Sequence, residues 1–284
     1  MTENINPYSD RQSPDLRVVA VDSLLPHEIH DEQRSEPLVR RLPKDGTLMN
    51  PPVVTQMEDG QFVILDGANR ITAFQMLGYP HILVQVVPYR QPIVELQTWY
   101  HVVSGVGGED LAGRFAEIRE LEQAETDVFH ARALLAQRAV LVYYLLADGR
   151  VFTLSGLGSD IHERTRLLIE IVKKYLHEGR LNRTNTDDID MLRTLYPAMS
   201  IAVVFPRYEP VEILDLALEG LPLPPGITRH VVHGRALRLH YPLERLTEDK
   251  SLAEKNADLA RWVQARFEKR QVRFYAESTY LFDE

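Results

Sequence analysis

Residues 62 to 74, FVILDGANRITAF, constrain what this chain can fold into more than any other stretch. Phe62 to Leu65 form an apolar run that reads as a buried strand, and helical spacing begins almost at once after Gly67. A strand that passes straight into a helix leaves the first N–H groups of that helix unpaired, at the positive end of its dipole. Such a turn suits an anion, a phosphate above all. Arg70 adds a forked cationic donor to the same turn. The alternative is structural, with Asp66 as an N-cap, Gly67 as a tight turn and Arg70 as a surface residue. The pentapeptide DGANR alone leaves both readings open.

The flanks of the turn predict a small α+β domain over residues 16–90, after a polar, proline-punctuated tail, residues 1–15. Leu16 to Val21 reads as a strand, followed by a loop with His27 and Glu28. SEPLVRRLPKDG reads as a short helix capped by Ser35 and ended by Pro43 and Gly46. Two strands flank Glu58-Asp59-Gly60 as a hairpin, the helix Ala68 to Leu77 follows, and His81 to Val87 returns as a strand.

Pro88 to Pro92 marks a boundary, and residues 91–284 read as a second, mixed α/β domain. Leu111, Phe115 and Ile118 are at helical spacing, as are Ile161, Leu168, Ile171, Val172 and Tyr175, and Leu259, Trp262 and Val263. Strands are predicted in RAVLVYYLL, GRVFTL, SIAVVF, GITRHVVHGRALRLHYPL and the closing QVRFYAESTYLF. Asn182 to Asp190 reads as a polar loop, either solvated or closing over a ligand.

Composition narrows the chemistry. The 284 residues contain no cysteine, which excludes disulfides, thiolate metal sites and cysteine nucleophiles. A net charge of -9 argues against extended duplex DNA binding, while leaving room for a local cleft that takes one nucleotide. No long apolar run predicts a membrane span, and the polar start predicts a cytoplasmic protein. His27 and His30, with Asp31 and Glu32 after them, lie in a loop and make a weak metal pattern.

The arrangement of NPPVV, DGANR and LGYPHILVQVV resembles the ParB/sulfiredoxin superfamily, whose strand-to-helix turn holds nucleotide phosphates. Asn69 stands where much of that family has His, and its amide can still donate without carrying charge. Sulfiredoxins need a cysteine in this turn, and ParB partition proteins follow it with a basic helix-turn-helix region. The chain is most similar to a third branch, the free L-serine kinases, one of which is encoded with a siderophore pathway. PHE at residues 26–28, TWYH at 98–101, YPAMS, and PPGITRHVVHGRALRLHYPLERL carry that resemblance in order along the chain.

The resemblance implies transfer of phosphate from ATP or ADP to free L-serine, giving O-phospho-L-serine, with Mg²⁺. A serine hydroxyl is a weak nucleophile at neutral pH, so the reaction calls for a base and for compensation of phosphate charge. Glu28 matches the family's catalytic glutamate. Asp66, Gly67, Ala68, Asn69 and Arg70 would hold phosphates, and Asp66 is equally a candidate Mg²⁺ ligand. Trp99, His101, Arg229 and His230 are the candidates for the serine pocket. Arg229 suits the substrate carboxylate as a bidentate donor. Trp99 as core and His101 as a satisfied polar group are the alternative for that pair, and Arg235 reads as structural or surface. Two other functions stay open: a ParB-like, nucleotide-dependent DNA-binding regulator, and a catalytically inactive ligand sensor. Oligomeric state has no signal in the sequence.

Overall fold

The computed structural model describes residues 13–156 and 160–273. The chain divides into two compact units, neither of them continuous in sequence. The first takes residues 13–25, His30–Glu95 and 232–273; the second takes Pro26–Ile29 and Leu96–Val231.

In the first unit a five-stranded sheet runs in the spatial order Leu16–Ala20, His81–Val86, Val53–Gln56, Phe62–Asp66, Leu24–Pro26. Val53–Gln56 lies parallel to His81–Val86 and antiparallel to Phe62–Asp66, its hairpin partner across Gly60. Val18, Ile64, Ile82 and Val84 of the sheet bury themselves with Ile71 and Phe74 of the helix Ala68–Met76. The far end of the chain completes this core with Tyr241, Leu243, Leu246 and Leu259. The helix Leu252–Glu268, predicted from Leu259, Trp262 and Val263, starts at a Ser251–Glu254 capping box. Asn256 on this helix accepts from the N–H of Val18 at 2.9 Å and donates to its carbonyl at 2.8 Å. One side chain thus occupies the open edge that another strand would otherwise seek.

The helix expected to start at Ser35 is longer, Glu32–Asp45, and its N-cap is Asp31, which accepts from Gln33 N–H. Ser35 lies buried inside it and donates to the Asp31 carbonyl. Pro37 and Pro43 are also inside. Each removes one backbone donor, and both lie on the exposed side, where water can serve the freed carbonyl. Gly46, at φ 62°, ends the helix as expected.

The second unit is built on a six-stranded antiparallel sheet in the order Arg180–Thr184, Tyr100–Ser104, Met199–Val204, Val142–Leu146, Val151–Gly156, Leu121–Thr126. The helices Gly108–Ala116 and Ile161–Lys173 stand where the apolar spacing predicts them and bury Leu111, Phe115, Leu168, Ile171 and Val172. Asn182 to Asp190 is not one loop. Asn182–Thr184 ends the edge strand Arg180–Thr184, and a helix, Ile189–Leu195, begins after the cap Asp188. Polar side chains suit an edge strand with a single neighbour, which is why the segment lacks a strand-like apolar pattern.

The long strand expected over GITRHVVHGRALRLHYPL is two pieces, Thr228–Val232 and Tyr241–Pro242. Between them Arg238 and His240 take positive φ, which breaks the extended run. Of the expected closing strand, Gln271 to Arg273 are neither helix nor strand, and the rest lies outside the described residues. Among the described residues no helix is long and apolar enough to cross a membrane.

Candidate functional site

The turn after Phe62–Asp66 has the backbone of an anion site. Gly67 takes φ 97°, and a Cβ there would sit 3.0 Å from Cβ of Pro52 and from Nη2 of Arg70. Only glycine meets both demands without strain. The helix Ala68–Met76 has Gly67 as its N-cap, with no side chain bonded to its first N–H groups. Asp66 is therefore not the cap. The N–H groups of Ala68 and Asn69 open the helix, where no carbonyl within it can receive them. Asn69 turns its Oδ1 to the N–H of Asp31 at 3.0 Å and to Ser35 Oγ at 3.4 Å. Its amide NH₂ is a further donor at this turn.

Asp66 is instead an ion-pair centre. Arg70 donates to its Oδ2 at 2.7 Å and to the Asn50 carbonyl at 2.6 Å. Arg235 donates to the same Oδ2. Burial pushes this carboxyl up, but the charges and hydrogen bonds of Arg70 and Arg235 more than offset that and bring it down to about 2. Arg235 is held there by its neighbours. Gln85, buried in the strand His81–Val86, donates to the Gly234 carbonyl at 3.0 Å and accepts from Ala236 N–H at 2.8 Å. Two guanidinium groups thus flank the turn, each oriented by the one carboxylate. Among the described residues no group of three or more His, Asp or Glu side chains is arranged to hold a metal.

A second cluster lies wholly within the second unit and centres on Glu28. Its Oε2 accepts from Gly226 N–H at 2.9 Å. Its Oε1 accepts from Ile227 N–H at 3.0 Å, Thr228 N–H at 2.5 Å and Thr228 Oγ at 2.6 Å. The Thr228 hydroxyl has one proton and gives it to Glu28, so the His27 Nε2 at 2.7 Å donates to that oxygen. With ordinary carboxylate capacity Oε1 is filled, and Oε2 retains a lone pair.

The strand Thr228–Val232 gathers the remaining candidates on its two faces. The Arg229 guanidinium lies 4.5 Å from the centroid of the Trp99 ring, a cation–π pair. His230 meets the ring of His27 edge-on at 5.1 Å. The neighbours Arg229 and His230 thus reach different partners, as alternation along a strand requires. Trp99 N–H also bonds the Ile227 carbonyl at 2.7 Å, which ties the tryptophan to the turn that holds Glu28.

His101 is fully buried, with Nδ1 2.9 Å from Tyr175 Oη and Nε2 3.0 Å from the Gly226 carbonyl. Burial and the nearby Arg183 charge, partly offset by the Gly226 bond, bring its pKa down to about 3. Both ring nitrogens are engaged inside the protein, the satisfied-polar alternative for this residue. Sequence reasoning missed Thr228, His27 and Arg235 as parts of these clusters. The adjacent Thr-Arg and Gly-Arg pairs were the available signal.

No protein-family model matches the chain. It is 26% identical over 274 residues to the ATP-dependent L-serine kinase SbnI of Staphylococcus aureus, which covers 95% of this chain and 97% of that protein. It is 25% identical over 235 residues to the ATP-dependent L-serine kinase of Staphylothermus marinus, covering 81% and 90%. The solved structure of C-terminally truncated SbnI from Staphylococcus aureus superposes with a TM-score of 0.70 at 22% identity, over 89% of this chain and 97% of that one. A free serine kinase in complex with AMP gives 0.69 at 18% identity, over 83% and 95%. Over most of its length the chain therefore has the fold of the solved free serine kinases.

Proposed function

We propose that this protein is a kinase that transfers the terminal phosphate of ATP to free L-serine, giving O-phospho-L-serine. The observation that carries this reading is the Glu28 cluster: a carboxylate fixed by three backbone N–H groups and a hydroxyl, with one oxygen still able to accept. Similarity to two ATP-dependent L-serine kinases over most of the chain supports it, as does the nucleotide bound by a structural neighbour.

In this reading the first unit, residues 232–273 included, is a ParB/sulfiredoxin-like nucleotide-binding domain, and the second unit supplies the serine pocket. Glu28 Oε2 takes the proton of the serine hydroxyl as its oxygen forms a bond to the terminal phosphorus. The bond from that phosphorus to the bridging oxygen breaks, and ADP leaves. The N–H groups of Ala68 and Asn69, with Arg70 and Arg235, bind phosphate oxygens and offset the charge that the transfer spreads over them. Gly67 lets the backbone come close. Arg229, over the Trp99 ring, takes the serine carboxylate, and His230, on the other face of the strand, packs against His27 beside the Glu28 cluster. His101 supports that pocket from the interior.

Mg²⁺ fits this turn only as a companion of the nucleotide, with Asp66 as its one protein carboxylate. Both guanidinium bonds to Asp66 go to Oδ2, so its carboxylate would keep Oδ1 to offer the ion. When bound with phosphates, Mg²⁺ neutralises their charge.

The deciding experiment is incubation of the purified protein with L-serine, Mg²⁺ and, separately, ATP, ADP and CTP, with O-phosphoserine followed by mass. Product with ATP, lost in Glu28→Gln, is the expected result. Nucleotide binding without product would overturn the kinase in favour of a sensor. Tight, salt-sensitive DNA binding would favour a ParB-like regulator.

A further inference from the structure

The turn that holds Glu28 is itself held by a buried chain of hydrogen bonds. A carbonyl oxygen can only accept, so His101 Nε2 carries the proton and donates to the Gly226 carbonyl. His101 is neutral, so its Nδ1 is an acceptor, and the Tyr175 hydroxyl donates to it. Burial holds the Tyr175 hydroxyl protonated, far above its ordinary range. The Gly226 carbonyl and the Ile227 N–H belong to one peptide group. That N–H donates to Glu28 Oε1 at 3.0 Å. The series is therefore unbroken: Tyr175 hydroxyl, His101 ring, Gly226–Ile227 peptide, Glu28 carboxylate. Each bond polarises the next in the same sense, and the burial of Tyr175, His101, Gly226 and Ile227 strengthens the effect.

Gly226 is fitted to this task. It takes φ 79°, and a Cβ at this position would lie 2.4 Å from Cζ of the Arg183 guanidinium. The guanidinium packed on the turn also helps to keep His101 neutral, since a second positive charge beside it is disfavoured. A protonated ring would donate from Nδ1 to the Tyr175 oxygen and reverse that bond, so neutrality keeps the direction of the whole series.

We infer that Tyr175 and His101 are positioning residues for Glu28, acting through the Gly226–Ile227 peptide to fix and polarise the carboxylate. This rests on the kinase reading for its catalytic consequence, and on the hydrogen bonds alone for its structural part.

The test is Tyr175→Phe in the full chain, a change that removes one hydroxyl from the far end of the series and leaves every group that touches Glu28 in place. His101→Phe is the stronger variant, and Tyr175→Phe decides if that one fails to fold. Two readouts are taken: the Ile227 amide proton shift by NMR, and serine kinase kinetics. The expected result is an upfield shift of the Ile227 amide and a kcat lower by about three- to tenfold, with KM for ATP unchanged. An Ile227 amide that does not move overturns the relay. A shifted amide with unchanged kcat overturns its catalytic role. A wild-type protein that makes no O-phosphoserine refutes the kinase reading instead, and the amide shift then judges the relay by itself.

Discussion

Arg235 reaches back across the chain to Asp66 and shares its Oδ2 with Arg70. The carboxylate holds two cations beside the N-terminus of the helix Ala68–Met76, so the turn has more positive charge than DGANR alone supplies.

Removing Arg235 should weaken nucleotide binding without unfolding the protein, since the side chain is half-buried and outside the apolar core. Arg235→Ala is expected to raise KM for ATP about tenfold, the loss of one charged hydrogen bond. Steady-state kinetics at varied ATP checks this, and an unchanged KM would return Arg235 to a purely structural role.

Asp66 also makes stability depend on pH. Its folded pKa, about 2, lies below the unfolded value of about 3.9. The stabilisation is complete above the unfolded value and is lost as pH falls through the folded one. The side chain is 41% exposed, so solvent screening keeps the effect small. Urea melts of wild type and Asp66→Asn should therefore differ above about pH 4 and converge towards about pH 2. Parallel curves over that range would show that the ion pairs contribute nothing.

Glu28→Gln replaces the proposed base by an amide of the same shape. Turnover should vanish while nucleotide affinity, measured by calorimetry, stays close to that of wild type. Retained turnover would remove Glu28 from the proton transfer.

Arg229→Ala should act on serine rather than on nucleotide. The expected change is a KM for serine raised about tenfold or more, with KM for ATP unaltered. Trp99→Ala should move in the same direction, because the ring supports one face of the guanidinium.

Leu259 is buried in the core of the first unit although it lies near the other end of the chain. Leu259→Ala should cost about 2–5 kcal/mol. A melting temperature within a degree of wild type would show that this helix adds little.

Local elements were readable where the pattern is local. The hairpin at Gly60, the Gly67 turn and the helix of Ile161 to Val172 follow from spacing and turn chemistry within a few residues. Partners far apart were not. Nothing near Arg235 announces Asp66, because the contact depends on Gln85 binding the backbone on both sides of the arginine. Asp31 displaced Ser35 as a cap because the helix could absorb Pro37 at little cost on its wet face. Of the candidate site, the residue types were evident, but the work of Thr228 and His27 on Glu28 appears only when the strand and the loop meet. His101 looked like a pocket residue because sequence spacing says nothing about which face is dry.

The first unit draws its core from both ends of the chain, which sets an order on synthesis. A ribosome releases residues 13–95 with an apolar face that Tyr241, Leu246 and Leu259 cannot cover until Leu96–Val231 has been made. During that interval the nascent sheet is open to chaperones and to misassociation. Asp66 waits as long for Arg235, so the DGANR turn acquires its second cation only once residue 235 has been made.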